Sequence, residues 1–351
     1  MASTGLDFSQ LTPPNGAIRD MGQIIMTNVL APERLGALFN ILTNVHNGDK
    51  IGVVGEFGLV GLANAACAPD YRTDPIATSE VTMCMSDWEV AQKICYRDLE
   101  GTFVQYMLRT KTSIADLTAN DYLDEIIRPR LELAIRKMLF RLAWFGGYDK
   151  TMVLEDYEDY FADFCDGLHK TLLTAAATNG SANAANSEST LNDMRAAMMT
   201  AGAATGALDE LIWEAKPELR SAANQVIYMS MAFADALAHD VQVNNVGSEL
   251  QWNSWWDGIK ETTYQGVRVM ALPLLDEIIT TYMYDSTNSV PVSPYFAVYT
   301  TKDNILLGVG GNNDIEDLQV WFDRTDQMNY LLARDKVGAA VADMNMVRFS
   351  Y

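Results

Sequence analysis

The sequence predicts an α+β fold, and three observations carry that expectation. A one-sided apolar stripe at helical spacing runs through residues 122–144. Strand patterns crowd into the last hundred residues. No repeated strand–helix–strand alternation appears, so a doubly wound parallel sheet is not expected.

The chain has 351 residues, 49% of them hydrophobic and 20% charged, the composition of a globular protein with a sizeable core. It carries 46 acids against 25 bases, a net charge of -21. Binding to phosphate rests on clustered Lys and Arg, so such a chain repels nucleic acid overall. Simple solubility explains that balance, and it also suits a protein that stands beside nucleic acid without adhering to it.

Residues 1 to about 20 hold Pro13, Pro14, Asn15 and Gly16 with little periodicity and read as an extended arm. Met21–Leu30 is apolar enough to be buried. Gly52, Gly55, Gly58 and Gly61 then recur every third residue around Glu56, which fits a mobile loop or hairpin. Val81, Met83 and Met85 alternate with Thr82 and Cys84, a strand pattern, and from Ser86 the spacing turns helical.

The main helix places Leu123, Ile127, Leu131, Ala134, Met138 and Leu142 on one stripe, widened by Ile135 and Leu139. Pro129 cannot sit mid-helix without a kink, so the helix is expected to begin near it and to stop at Gly146–Gly147. Next, Asp156, Asp159, Asp163 and Asp166 share a face if the segment is helical. A solvated acidic surface explains them, since the glycine-hinged ligand order of a calcium loop is missing. Residues 174–206 read as a loop and a short helix. "ALDELIWEAKPEL" is an amphipathic helix stopping near Pro217, and "NQVIYMSMAFADALAHDV" a strand leading into a helix. Strands are expected at Gly266–Met270, Tyr295–Thr300, Asn304–Val309, Leu318–Phe322 and Tyr330–Asp335, with a hairpin through "FDRTDQMN".

Chemistry-bearing motifs are sparse. The phosphate loop, the nucleophile elbow and the zinc-protease helix motif are absent. Cys67, Cys84, Cys95 and Cys165 form no C-x-x-C pair, and His46, His169 and His239 lie far apart, so buried free thiols are expected rather than zinc. No basic-then-apolar leader opens the sequence. The apolar runs Met21–Ala31 and Phe57–Ala68 fall short of the ~20 residues that span a bilayer, so a cytoplasmic protein with no membrane partner is expected. One stretch suggests a phosphate cradle: "TTKDNILLGVGGNND", where Gly308, Gly310 and Gly311 follow an apolar run. The acids Asp314, Glu316 and Asp317 would repel phosphate, so these glycines are expected to turn the backbone at φ values other residues resist. No catalytic, cofactor-binding or metal residue is expected, and no cofactor.

The order of features resembles the major capsid proteins of tailed double-stranded DNA phages, the Hong Kong ninety-seven fold. The likeness rests on "YQGVRVMALPLLDEII" (Tyr264–Ile279) as a strand with a proline-bearing turn and on "TTKDNILLGVG" (Thr300–Gly310) as an entering strand. "VWFDRTDQMNYLLARDKVGAAVADMNMVRFSY" (Val320–Tyr351) resembles the closing hairpin and terminal strand. By element order it covers most of the chain, and it is clearest in the last ninety or so residues.

The resemblance implies an N-terminal arm at 1–40 and an extended loop region at 41–98. It implies a peripheral domain with a spine helix at 99–150, an axial domain at 151–315, and closing strands of the peripheral domain at 316–351 with Asp323–Met328 at their tip. It also implies a non-enzymatic bacteriophage virion protein. Such a protein assembles with itself, in the host cytoplasm, into hexamers and pentamers of an icosahedral capsid that encloses DNA without reading its sequence. A separate scaffold protein, a portal and decoration proteins are the implied partners. The alternatives are an encapsulin-type cargo compartment, a minor virion protein, or a nucleotide-binding enzyme built on Gly308–Gly311.

Overall fold

The structure, a computed structural model, describes residues 26–31, 33–54, 78–95, 128–149, 151–244, 250–254, 258–285, 290–310, 319–323, 325 and 328–351. The chain divides into two compact units. One takes Met1–Val45, Met85–Gly167 and Leu307–Ala339. The other takes His46–Cys84, Leu168–Leu306 and Ala340–Tyr351.

The first unit is built on a five-stranded sheet and one long helix. The short helix α1 (Leu35–Leu38) leads into β1 (Asn40–Leu42). The sheet runs β1, β13 (Ile305–Val309), β15 (Met328–Val341), β14 (Gln319–Asp323), and β4 (Ser86–Cys95) also pairs with β15. β14 and β15 form the expected antiparallel hairpin, in register from Gln319 opposite Leu332 to Asp323 opposite Met328.

The helical reading from Ser86 is incorrect over Ser86–Cys95, and residues 96–127 lie outside the described residues. Ser86–Cys95 is strand β4, antiparallel to β15 over ten residue pairs. Trp88 is buried while its neighbours Asp87 and Glu89 are exposed, and ladder pairing overrides a short helical pattern. Cross-strand ion pairs Arg334–Glu89 at 3.2 Å and Lys336–Asp87 at 3.7 Å line its exposed face.

The long helix α2 is Arg128–Phe145, with Pro129 in its first turn where a missing N–H costs nothing. Leu131, Ile135, Leu139 and Leu142 are buried as expected; Ala134 is exposed instead. Glu132 and Arg136 replace it on the buried side. The Glu132 carboxylate accepts from Asn28 Nδ2 at 3.1 Å and lies 3.6 Å from Arg34, which compensates its burial. Phe39, Phe140 and Trp144 gather with ring centroids 6.2–6.4 Å apart. Each buried aromatic of this kind contributes about 2–3 kcal/mol of transfer free energy. The helix stops where expected, with Gly147 at φ 79° donating its N–H to Phe161 O at 2.7 Å. Residues 122–127 lie outside the described residues.

The second unit holds a seven-stranded sheet covered on both faces. Its order is β5 (Gly180–Ser181), β16 (Val347–Ser350), β12 (Ala297–Thr301), β6 (Gln225–Ser230), β9 (Val267–Leu272), β8 (Lys260–Tyr264), β7 (Asn253–Ser254). Most neighbours are antiparallel, but β6 and β9 are parallel, as are β16 and β5. Successive strand residues point to opposite faces. Ile227 and Met229 therefore join a core with Val267, Val269, Ala297 and Tyr299, while Tyr228 is buried on the opposite face. Over the first face lie α5 (Leu191–Met198), α6 (Ala203–Trp213) and α8 (Met231–Asn244), through Met194, Leu208, Leu211, Phe233 and Leu237. Around them run α3 (Leu168–Thr174), α4 (Ala176–Asn179), α7 (Pro217–Ser221) and α9 (Pro273–Tyr282). Two small ribbons, β2 (Lys50–Val54) with β3 (Thr78–Thr82) and β10 (Tyr284–Asp285) with β11 (Val290–Pro291), are antiparallel. Gly52 lies in β2; Gly55, Gly58 and Gly61 lie outside the described residues.

Pro273 opens helix α9 rather than marking only a turn, and Pro217 likewise opens α7. The expectation of free thiols does not hold for Cys84 and Cys165, which are disulfide-bonded.

Candidate functional site

The suspected phosphate cradle is a strand. Ile305–Val309 is β13, fully buried, so Gly308 belongs to the ladder. Gly310 donates its N–H to Lys336 O at 3.0 Å. Neither glycine has the positive φ expected for it. Gly310 is required for closeness: an added Cβ would overlap the buried carboxylate of Asp335 on β15. Gly311 lies outside the described residues, and the next described element is strand β14 rather than a helix. A cradle for phosphate needs backbone N–H groups at a helix N-terminus, and the described residues place none after β13.

Asn304, just before β13, is a structural node. Its Nδ2 donates to Asp343 O at 2.9 Å and Thr300 Oγ1 at 3.1 Å. Its Oδ1 accepts from Asp343 N at 2.7 Å, and its carbonyl accepts from Ala342 N at 2.9 Å. The side chain is buried, so it joins two corners of the chain with its polar atoms satisfied.

Helix N-termini elsewhere attract anions, but here the protein fills them with its own acids. Asp240, on α8, is 1% exposed and accepts from Gly202 N at 2.6 Å and Thr205 N at 2.9 Å, closing the start of α6. Asp276, in the first turn of α9, accepts from Ala232 N at 2.9 Å and from Met231 N, closing the start of α8 together with Ser230. On α5, Thr190 Oγ1 accepts from Asp193 N at 3.1 Å. An external phosphate would have to displace a covalently tethered carboxylate at the starts of α6 and α8, and the Thr190 hydroxyl at α5. Burial, with Asp235 nearby, pushes the Asp276 carboxyl up to about 6, against the two amides that favour its charge. Sequence reading missed Asp240 and Asp276, which look like ordinary helix acids; only Thr190-x-x-Asp193 carries a visible capping signal.

The four acids grouped as one helical face are not on an α-helix. Glu155–Tyr160 is a 3-10 helix with no buried residue, and Asp163 and Asp166 follow it. Among the described residues, no group of three or more His, Cys, Asp or Glu is gathered as a metal site. His169 is fully buried with its ring 4.6 Å from that of Phe296, and burial holds its pKa down to about 3. No helix of the described residues is long and apolar enough to cross a membrane.

No family model and no curated protein matches the chain. Solved structures do. A chain of the satellite phage P4 procapsid that includes the size determination (Sid) protein is 9% identical, with a TM-score of 0.53 over 93% of this chain and 98% of that one. A chain of the capsid of an empty GTA particle is 13% identical, with a TM-score of 0.48 over 91% and 89%. One from Gordonia phage Cozz is 10% identical, with a TM-score of 0.49 over 90% and 85%. The argument rests on the first, whose likeness spans nearly the whole of both chains. The chain has the α+β fold of a phage capsid protein.

Proposed function

We propose that the chain is a major capsid protein that assembles with copies of itself, as hexamers and pentamers, into an icosahedral shell around double-stranded DNA. The observation that carries this reading is the fold shared with the satellite phage P4 procapsid over 93% of the chain. The charge supports it: copies that each carry a net charge of -21 repel packaged DNA overall rather than adhere to it. The acid-filled helix starts support it as well, because they remove the default anion sites.

The reading assigns an N-terminal arm, an extended loop region, a peripheral domain on α2 and the five-stranded sheet, and an axial domain on the seven-stranded sheet. It is a structural rather than an enzymatic role, in the virion, with assembly in the host cytoplasm. Scaffold, portal and decoration proteins are its proposed partners. Sedimentation of the purified protein tests it. Particles of megadalton mass are expected, and a species that stays monomeric across salt and concentration contradicts the reading.

A further inference from the structure

Two exposed aromatic surfaces stand out on the chain, one lined by acids alone and one that carries two cations. Along the 3-10 helix Glu155–Tyr160 and the residue before it, Leu154 is 40% exposed, Tyr157 37% and Tyr160 53%. Glu155, Asp156, Glu158 and Asp159 interleave with them, and no Lys or Arg occurs between residues 151 and 169. The Tyr160 ring is held from beneath by the Arg141 guanidinium, 5.4 Å from its centroid, which fixes the surface to α2.

The second surface is the corner between α6 and α7. Trp213 closes α6 and is 62% exposed, the most exposed of the large hydrophobic residues in the described chain. Lys216 and Arg220 follow on α7 and its cap, both exposed. Glu214 is paired with Arg348, and Lys216 and Arg220 balance Glu218 and the exposed Glu210 one turn before Trp213, so the corner is close to neutral in an otherwise acidic chain.

In a chain with 46 acids, like copies repel, and a contact between copies needs a place where the signs oppose. Exposed Trp, Tyr and Arg are the residues enriched where interfaces form. We propose that the Trp213 corner of one copy seats on the Leu154–Tyr160 surface of the next. The surfaces differ, so the contact is head-to-tail, the type that closes into rings. This inference rests on the shell reading and adds the residues of one of its contacts.

Charge exchange tests it, in the full chain. One variant carries Lys216→Glu and Arg220→Glu. A second carries Glu155→Lys and Glu158→Lys. A third combines all four. Glu155, Lys216 and Arg220 are exposed and Glu158 is half-buried, and unchanged circular-dichroism melts confirm that each variant folds. Each two-site variant is expected to lower the assembled fraction by roughly tenfold or more, and the four-site variant to restore it to within about threefold of the unaltered protein. Shells from either two-site variant at the unaltered yield overturn this contact while leaving the shell reading in place. Failure of the four-site variant to recover does the same. An unaltered protein that forms no shell overturns both.

Discussion

At the scale of single residues, the protein places ionisable groups where water does not reach, and two of them set opposing pH dependences. Asp276 has its carboxyl pushed up to about 6 by burial and by Asp235. The folded state therefore holds a proton that the unfolded state releases between about pH 4 and pH 6. Asp276 destabilises the fold as pH rises through that window, and its contribution is level above it. Relative to Asp276→Asn, the unaltered protein should lose up to about 3 kcal/mol of stability between pH 4 and pH 7. Denaturant melts of both proteins at the two pH values check this, and parallel curves contradict it. His169 has the reverse sign. Its folded pKa is held down to about 3, so its contribution is complete above pH 6.5 and is lost as pH falls toward 3. Relative to His169→Leu, the unaltered protein should lose roughly 3 kcal/mol between pH 7 and pH 4. Asn304 is expected to be the costliest polar residue of its region. Asn304→Ala leaves buried groups around Asp343 without partners and should cost about 3 kcal/mol, read by the same melts.

At the scale of elements, turns and close approaches decide where strands begin and end. The β8–β9 hairpin is closed by Gln265 at φ 49° and Gly266 at φ 83°, the type I′ geometry that suits strand twist. Both Tyr264 OH and Gln265 Nε2 donate to Asp209 on α6, at 2.8 and 2.6 Å, which ties the hairpin to the helical layer. Space is open around Gly266, so Gly266→Ala should cost only the left-handed backbone term, about 1 kcal/mol. Gly310→Ala should cost more, about 2–3 kcal/mol, because its methyl meets Asp335. The reverse order of these two losses in thermal melts would contradict the closeness argument.

These elements also show what was legible in the sequence. The spine helix, its start at Pro129 and its stop at Gly147 follow from local chemistry that the sequence displays. So do the late strands, whose short apolar runs are bounded by turn residues. β4 was not legible, because Ser86–Cys95 is made a strand by its long pairing with β15, about 240 residues away in sequence. Asp240 and Asp276 were not legible either. An acid that caps a distant helix has no sequence spacing to betray it, whereas Thr190 and Asp193 do.

At the scale of the whole molecule, the fold supports the proposed role as a shell subunit. Ile305–Val309 is a buried strand, the starts of α6 and α8 are closed by the protein's own acids, and the fold is that of a phage capsid protein. In the proposed shell, assembly would concentrate the net charge of -21 carried by each copy. Screening by salt should govern how readily copies meet, and with what rate. Electron microscopy of the purified, untreated protein tests the central claim most directly. The account predicts closed icosahedral particles whose reconstructed subunit shows α2 against the five-stranded sheet. A field of separate single subunits, or an open assembly of a few copies, would contradict it.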